Sequence, residues 1–190
     1  TLVINGNGKT IDASGKTRLF HVLCNAKLQL ENLTILNCHS SNLGGVIYED
    51  NMANITIINC IFKNNTAGDG GAISAEAYLL IKDCELYNNV ASRLATGGAI
   101  RGGGNVINCI FLNNSAIGNS GYGGAIDTAK NVVNCTFLNN HAATAGGAIY
   151  KAENVVNCTF LNNSAIGNDG YGGAISYSKS IINCNFTNNT

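Results

Sequence analysis

Eight cysteines, three histidines and a scatter of carboxylates and tyrosines are the side chains of this chain that could do chemistry. Thiolates and imidazoles bind zinc when they cluster a few residues apart, and a thiol beside a base can act as a nucleophile. Here Cys38, Cys60, Cys84, Cys109, Cys135, Cys158 and Cys184 stand 22, 24, 25, 26, 23 and 26 residues apart, one to a repeat. That regularity is neither a zinc pattern nor the varied spacing of a disulfide framework. It reads as a column of buried thiols, because free cysteine packs as a small hydrophobe. Neighbouring rungs about 4.8 Å apart leave room for an occasional bridge. Cys24 falls outside the register. His21, His39 and His141 hold unrelated positions and support neither a metal centre nor a catalytic triad.

Cleaving a polysaccharide would need carboxylates converging on one face, often with a Lys or Arg beside them. Charges do gather after a recurring Gly-Gly-Ala-Ile: Glu49, Asp50, Glu76, Arg101, Asp127, Lys130, Lys151, Glu153 and Lys179. No position carries carboxylates on two adjacent repeats with a base alongside, so the ridge reads as solvated or ligand-binding, with no catalytic residue. The loops Ile117–Tyr122 and Ile166–Tyr171 are near copies. Asp169, with Asp69 from a third loop, offers too few carboxylates for calcium, and no metal or cofactor is called for. Tyr122 and Tyr171 end these loops, where a ring can stack on a sugar or fold over its own loop. With Asp169, and with Arg101, Asp127 and Tyr150 from the position after the recurring Ile, they make up the candidate ligand-binding set.

The elements that must position these residues are written in the repeat. Its kernel is Asn-Cys-x-Phe-x-Asn-Asn, a loop, then Gly-Gly-Ala-Ile. Length varies only between the Asn and Gly pairs and between the Gly pair and the next Cys, as expected of fixed strands joined by outward loops. A period in this range with short apolar runs signals a stacked solenoid. Three short strands per repeat are expected. The Val132 column (Ile35, Ile57, Ile81, Val106, Val132, Val155, Ile181), Cys135, Phe137 and the Ile126 column face inward. The Val133 and Leu138 columns and the position after Ile126 face outward. Asn134 bends the chain, since Asn tolerates left-handed backbone geometry. Strands stacked on their own copies pair in parallel, so the fold class is all-β, a right-handed parallel β-helix with a ladder of stacked asparagines. Residues 1–32 read as an N-terminal cap with irregular first turns and 33–190 as the repeat helix, one continuous elongated domain.

Composition narrows the function classes. Formal net charge is zero, which removes the electrostatic case for nucleic acid or an anionic membrane. Charged residues are 12% and proline is absent, as suits a chain whose N–H groups join a ladder. No apolar run is long enough to span a bilayer. The chain lacks an initial Met and stops part-way through a repeat, which reads as a piece of a longer protein whose signal and anchor lie outside it. Sequons such as Asn54-Ile55-Thr56 and Asn134-Cys135-Thr136 fall mostly on bend or ladder asparagines, with Asn54 the most exposed.

Phe-x-x-Asn at Phe62–Asn65, Phe111–Asn114, Phe137–Asn140, Phe160–Asn163 and Phe186–Asn189 alternates with Gly-Gly-Ala-Ile at Gly70, Gly97, Gly123, Gly146 and Gly172. Together they resemble the repeats of chlamydial polymorphic outer-membrane proteins and of the adhesin-like surface proteins of methanogens. The opening Asn5–Asp12 makes the methanogen proteins the closer match; Leu86 for Phe and Val46 for Ala depart from the pattern. The resemblance implies an extracellular, cell-surface β-helix with a role in adhesion, and it identifies no ligand. With the scattered carboxylates, the reading is a non-enzymatic protein whose partner is a glycan or protein of another cell. Outward apolar columns (Leu36, Ile58, Ile107, Val133, Val156, Ile182 and Leu112, Leu138, Leu161) suggest packing on a neighbouring domain or a second rod. A polysaccharide lyase or hydrolase and a spacer stalk are the alternatives.

Overall fold

The corners of the chain are asparagines. The computed structural model describes residues 1–76, 78–167 and 171–190. Asn134 has φ 53° and Asn139 φ 54°, and the pattern recurs at Asn59 and Asn64, Asn108 and Asn113, and Asn157 and Asn162. Left-handed backbone costs an ordinary L-residue about 1–2 kcal/mol, and Asn tolerates it best after Gly. Asp83, the one substitution in the bend column, keeps φ 54°. The expected bend at Asn134 is present; the second corner, at Asn139, is a further finding.

Between corners only short strands fit, such as Thr136–Leu138, and each pairs in parallel with its copy one turn on. The Ile strand and the Val132 strand run together as Ile126–Val133 and Ile149–Val156. A second sheet of two-residue strands, Thr66–Ala67, Val90–Ala91, Ser115–Ala116, His141–Ala142 and Ser164–Ala165, closes the third side. This sheet was not legible as strands in the sequence. All named pairings are parallel, with seven rungs at Phe20, Ile47, Ile73, Ile100, Ile126, Ile149 and Ile175.

Inside the rod like sits on like. The Phe111, Phe137, Phe160 and Phe186 rings stack at 4.8, 4.9 and 4.9 Å, with nearly parallel planes. Phe62, Phe111, Phe137, Phe160, Ile57, Ile81, Val106 and Val132 are fully buried. Beside them runs a ladder of the second asparagine of each pair: Asn65, Asn89, Asn114, Asn140 and Asn163 are all 0% exposed. Asparagines nearer the surface form further ladders, such as Asn131 to Asn105 at 2.7 Å and Asn154 to Asn131 at 2.9 Å.

The first turn differs from its expected register. Residues 1–32 supply Leu2–Asp12, which pairs in parallel with Lys27–Leu36 across a break between Asn5 and Lys9. Ile35 pairs with Phe62, and Leu30 takes the place opposite Ile57. Ile35 therefore leaves the Val132 column, and Leu36 moves beside Lys63. Cys38 leaves the thiol column for the asparagine ladder, where its N–H donates to Asn65 Oδ1 at 2.9 Å.

All eight thiols are free, and six are buried. In the column, backbone N–H groups of Cys109 and Cys135 donate to the Sγ of the next rung at 3.4 Å. Sγ of Cys109 donates to the Ile107 carbonyl at 3.1 Å. Burial pushes the Cys38 thiol up to about 12 and Cys60 to about 11. The bond with Cys135, aided by burial, holds Cys109 at about 12. The unfolded chain surrenders these protons near the ordinary value of 9.0 while the native state keeps them. Their contribution is therefore complete below pH 9 and is lost as pH climbs toward 12. The urea midpoint is expected to fall steeply above about pH 9, as stability drops by about 1.4 kcal/mol per pH unit for each of these thiols. A flat profile between pH 8 and 11 would contradict a dry thiol column.

Candidate functional site

The residue before each Gly pair and the residue after each recurring Ile form two columns side by side along the rod. The first runs Leu43, Asp69, Thr96, Tyr122, Ala145 and Tyr171. The second runs His21, Tyr48, Ser74, Arg101, Asp127, Tyr150 and Ser176. Backbone bonds pin the first column: Gly97 N–H to the Tyr122 carbonyl at 2.9 Å, Gly123 N–H to Ala145 at 3.0 Å, and Gly146 N–H to Tyr171 at 2.9 Å. The Gly that follows turns with positive φ, 63° at Gly123, so the preceding side chain is delivered to the same edge on every turn.

The second column was expected to face solvent freely. Instead Ser74, Asp127 and Ser176 are buried. Larger neighbours shelter it: the Tyr122 ring reaches across from the first column and stacks on Tyr150 at 4.6 Å. Glu49, expected on the charged ridge, is also buried, because its carboxylate accepts the N–H groups of Ala53 and Glu76 at 2.9 and 2.7 Å. The strip is a groove rather than a ridge.

At the C-terminal end of this groove Tyr122, Tyr150 and Tyr171 come together with Tyr177 around a cavity of about 460 Å³. Tyr177 packs edge-on to Tyr150 at 5.5 Å and tilted to Tyr171 at 6.4 Å. Asn119, Thr144 and Ile166 complete the wall, and no described lining residue is charged. Lys151 Nζ lies 4.8 Å from the Tyr150 ring centre. Asp127 is one rung from Tyr150; burial raises its carboxyl above the usual range, against the pull of the Thr128 hydroxyl and of Arg101. Arg101 lies one rung further and turns to Glu76 in an ion pair of 2.7 Å. Asp169 lies outside the described residues.

The sequence reading missed Tyr177. Its signal is the backbone: Tyr177 has φ 56°, as do the matching Lys151 at 57° and Thr128 at 65°. A bulky residue with positive φ is a strained position, and such strain gathers at functional sites. The histidines stay apart, each with a local partner: His21 with Asp50, His39 with Thr66 and His141 with Ser164. Among the described residues no three His, Cys, Asp or Glu side chains are placed to share a metal ion. The outward apolar columns are half-buried at Ile107, Val133, Leu112 and Leu138.

A family model described as a right-handed β-helix region matches residues 19–190. The chain belongs to the right-handed β-helix family. Neither curated proteins nor solved structures gave a match. Membership of the β-helix family accounts for the parallel turns; it names no ligand, because function rests in the site grafted on the fold.

Proposed function

We propose that this β-helix is a non-enzymatic, adhesin-like rod of the cell surface that binds glycans in its aromatic groove. The observation that carries the reading is the convergence of Tyr122, Tyr150, Tyr171 and Tyr177 from three successive turns on one cavity. Tyrosine offers an apolar face to a sugar ring and a hydroxyl to its substituents. The alternation of Gly-Gly-Ala-Ile with Phe-x-x-Asn, which resembles methanogen adhesin-like repeats, supports the surface location and a partner on another cell. The absence of a catalytic role is supported by the geometry of the acids. Glu49 is bound to backbone, Glu76 to Arg101, and Asp127 is buried beside a hydroxyl.

The test is size-exclusion chromatography of a panel of soluble polysaccharides with the protein. Intact polymers co-migrating with it are expected. Tyr150→Ala and Tyr171→Ala should each weaken retention about threefold to tenfold, the worth of one aromatic contact. Shortened polymers would identify an enzyme, and absence of co-migration across the panel would leave a stalk.

A further inference from the structure

A second cavity, of about 510 Å³, opens at the other end of the same groove, between Arg18, Tyr48, Asp69 and Arg93. Tyr48 and Tyr150 belong to one column, four rungs apart, or about 19 Å at about 4.8 Å per rung. Here the chemistry changes from neutral to cationic.

Arg18 is held in place from one side. Its Nε donates to the Gly44 carbonyl at 2.9 Å, and its Nη2 donates to the Leu43 carbonyl at 2.6 Å and to Ser40 Oγ at 2.7 Å. The guanidinium lies 5.1 Å from the Tyr48 ring centre. Nη1 has no hydrogen-bond partner among the described residues, and neither Arg18 nor Arg93 joins an ion pair among them. Arg93 donates only to Asn42 Oδ1, at 3.2 Å, across two turns. The acids nearby are engaged: Asp69 is buried and accepts the Thr96 N–H at 3.1 Å, and Asp50 binds His21 at 2.8 Å. Two guanidiniums thus face one lining carboxylate.

We infer that this cavity is an anion subsite, and that the glycan lying along the groove carries carboxylate or sulfate groups. The inference rests on the glycan reading above. A guanidinium anchored through Nε and Nη2 keeps its remaining Nη1 donors aimed without further loss of freedom, and these give charge-assisted hydrogen bonds to a carboxylate or sulfate oxygen. The tyrosine end then takes sugar rings, and the arginine end takes the charged substituent of the same chain.

Dextran, carboxymethyl-dextran and dextran sulfate of matched length separate these terms on an immobilised support. The wild-type protein should be retained about tenfold more strongly by one or both charged polymers than by dextran. High salt should erase the difference. Arg93→Gln, at an exposed position, should abolish the preference and leave dextran retention unchanged. Arg18→Lys should do likewise while keeping the charge, since one ammonium cannot hold the Ser40, Leu43 and Gly44 contacts and also present donors to the cavity. Tyr150→Ala should weaken retention on all three. Preference for a single charged polymer identifies the group. Equal retention of charged and neutral polymers, or a preference that survives Arg93→Gln, overturns the anion subsite while the glycan reading stands on the Tyr150→Ala result. If none of the three is retained, the glycan reading falls and the subsite with it.

Discussion

Gly124→Ala is expected to prevent folding, whereas Gly8→Ala should leave the protein folded and about 1 kcal/mol less stable. A Cβ at Gly124 would fall inside contact distance of the Gly147 carbonyl oxygen and 2.6 Å from both N and C of His141. All three atoms are backbone, so no rotamer change relieves the clash. At this corner the wall carrying Gly-Gly-Ala-Ile runs directly against the second sheet, with no side chain between. The same contact recurs at Gly71, Gly98 and Gly147, so the next turn cannot move aside without displacing its own neighbour. The cost should exceed about 4 kcal/mol, the range reserved for disruptions of a packed interior. Gly8 has φ 75° but nothing within 4 Å of its would-be Cβ, so it reports backbone strain alone. Circular dichroism melts of the two variants decide the matter. A Gly124→Ala protein melting within a few degrees of wild type would show that the two walls do not meet as described.

This contact also explains what was legible beforehand. The Gly pair stood out in the sequence, yet its two members have different reasons. Gly123 takes φ 63°, while Gly124 makes room for a neighbouring backbone, and spacing alone does not separate the two. The core columns were readable because each position repeats the same residue type at fixed distance from Cys and Asn. The first turn was not. Matching Leu33–Cys38 to Ile55–Cys60 and pairing Ile35 with Phe62 both bury Leu33 and Ile35, so the hydrophobic pattern permits either register. The bond from Cys38 to Asn65 selects between them, and no periodicity displays it.

The site was legible in part for a related reason. Tyr122 and Tyr171 advertise themselves through duplicated loops, and Tyr150 through its column. Tyr48 sits in that same column, whereas Tyr177 falls one place past it, and only stacking brings its ring into the same strip. Arg18 precedes the repeat altogether and reaches the groove through carbonyls of the following turn, Leu43 and Gly44. Contacts between turns are long in sequence and unpatterned, so a motif reading recovers the columns but not the partners across them.

Asn140→Ala should cost about 3–5 kcal/mol, far more than Asn139→Gly one residue earlier. Asn140 Oδ1 accepts both the backbone N–H and the Nδ2 of Asn114 at 3.0 Å. Its own Nδ2 donates to Asn163 Oδ1 and to the Phe111 carbonyl, each at 3.0 Å. The side chain thus ties three successive turns in a dry interior where water cannot substitute. Truncation strands the Asn114 N–H and amide and removes a donor from the Phe111 carbonyl, at about 1–3 kcal/mol for each buried orphan. Asn139 is exposed and serves the corner through its φ of 54°, a conformation that Gly adopts freely. Because each turn is stabilised chiefly by its neighbours, the loss at Asn140 weakens the two interfaces that it bridges. Urea unfolding of both variants gives the comparison directly. A shift for Asn140→Ala no larger than that for Asn139→Gly would mean that the inner ladder fixes register without stabilising the rod, and that the Phe and Ile columns supply the stability alone.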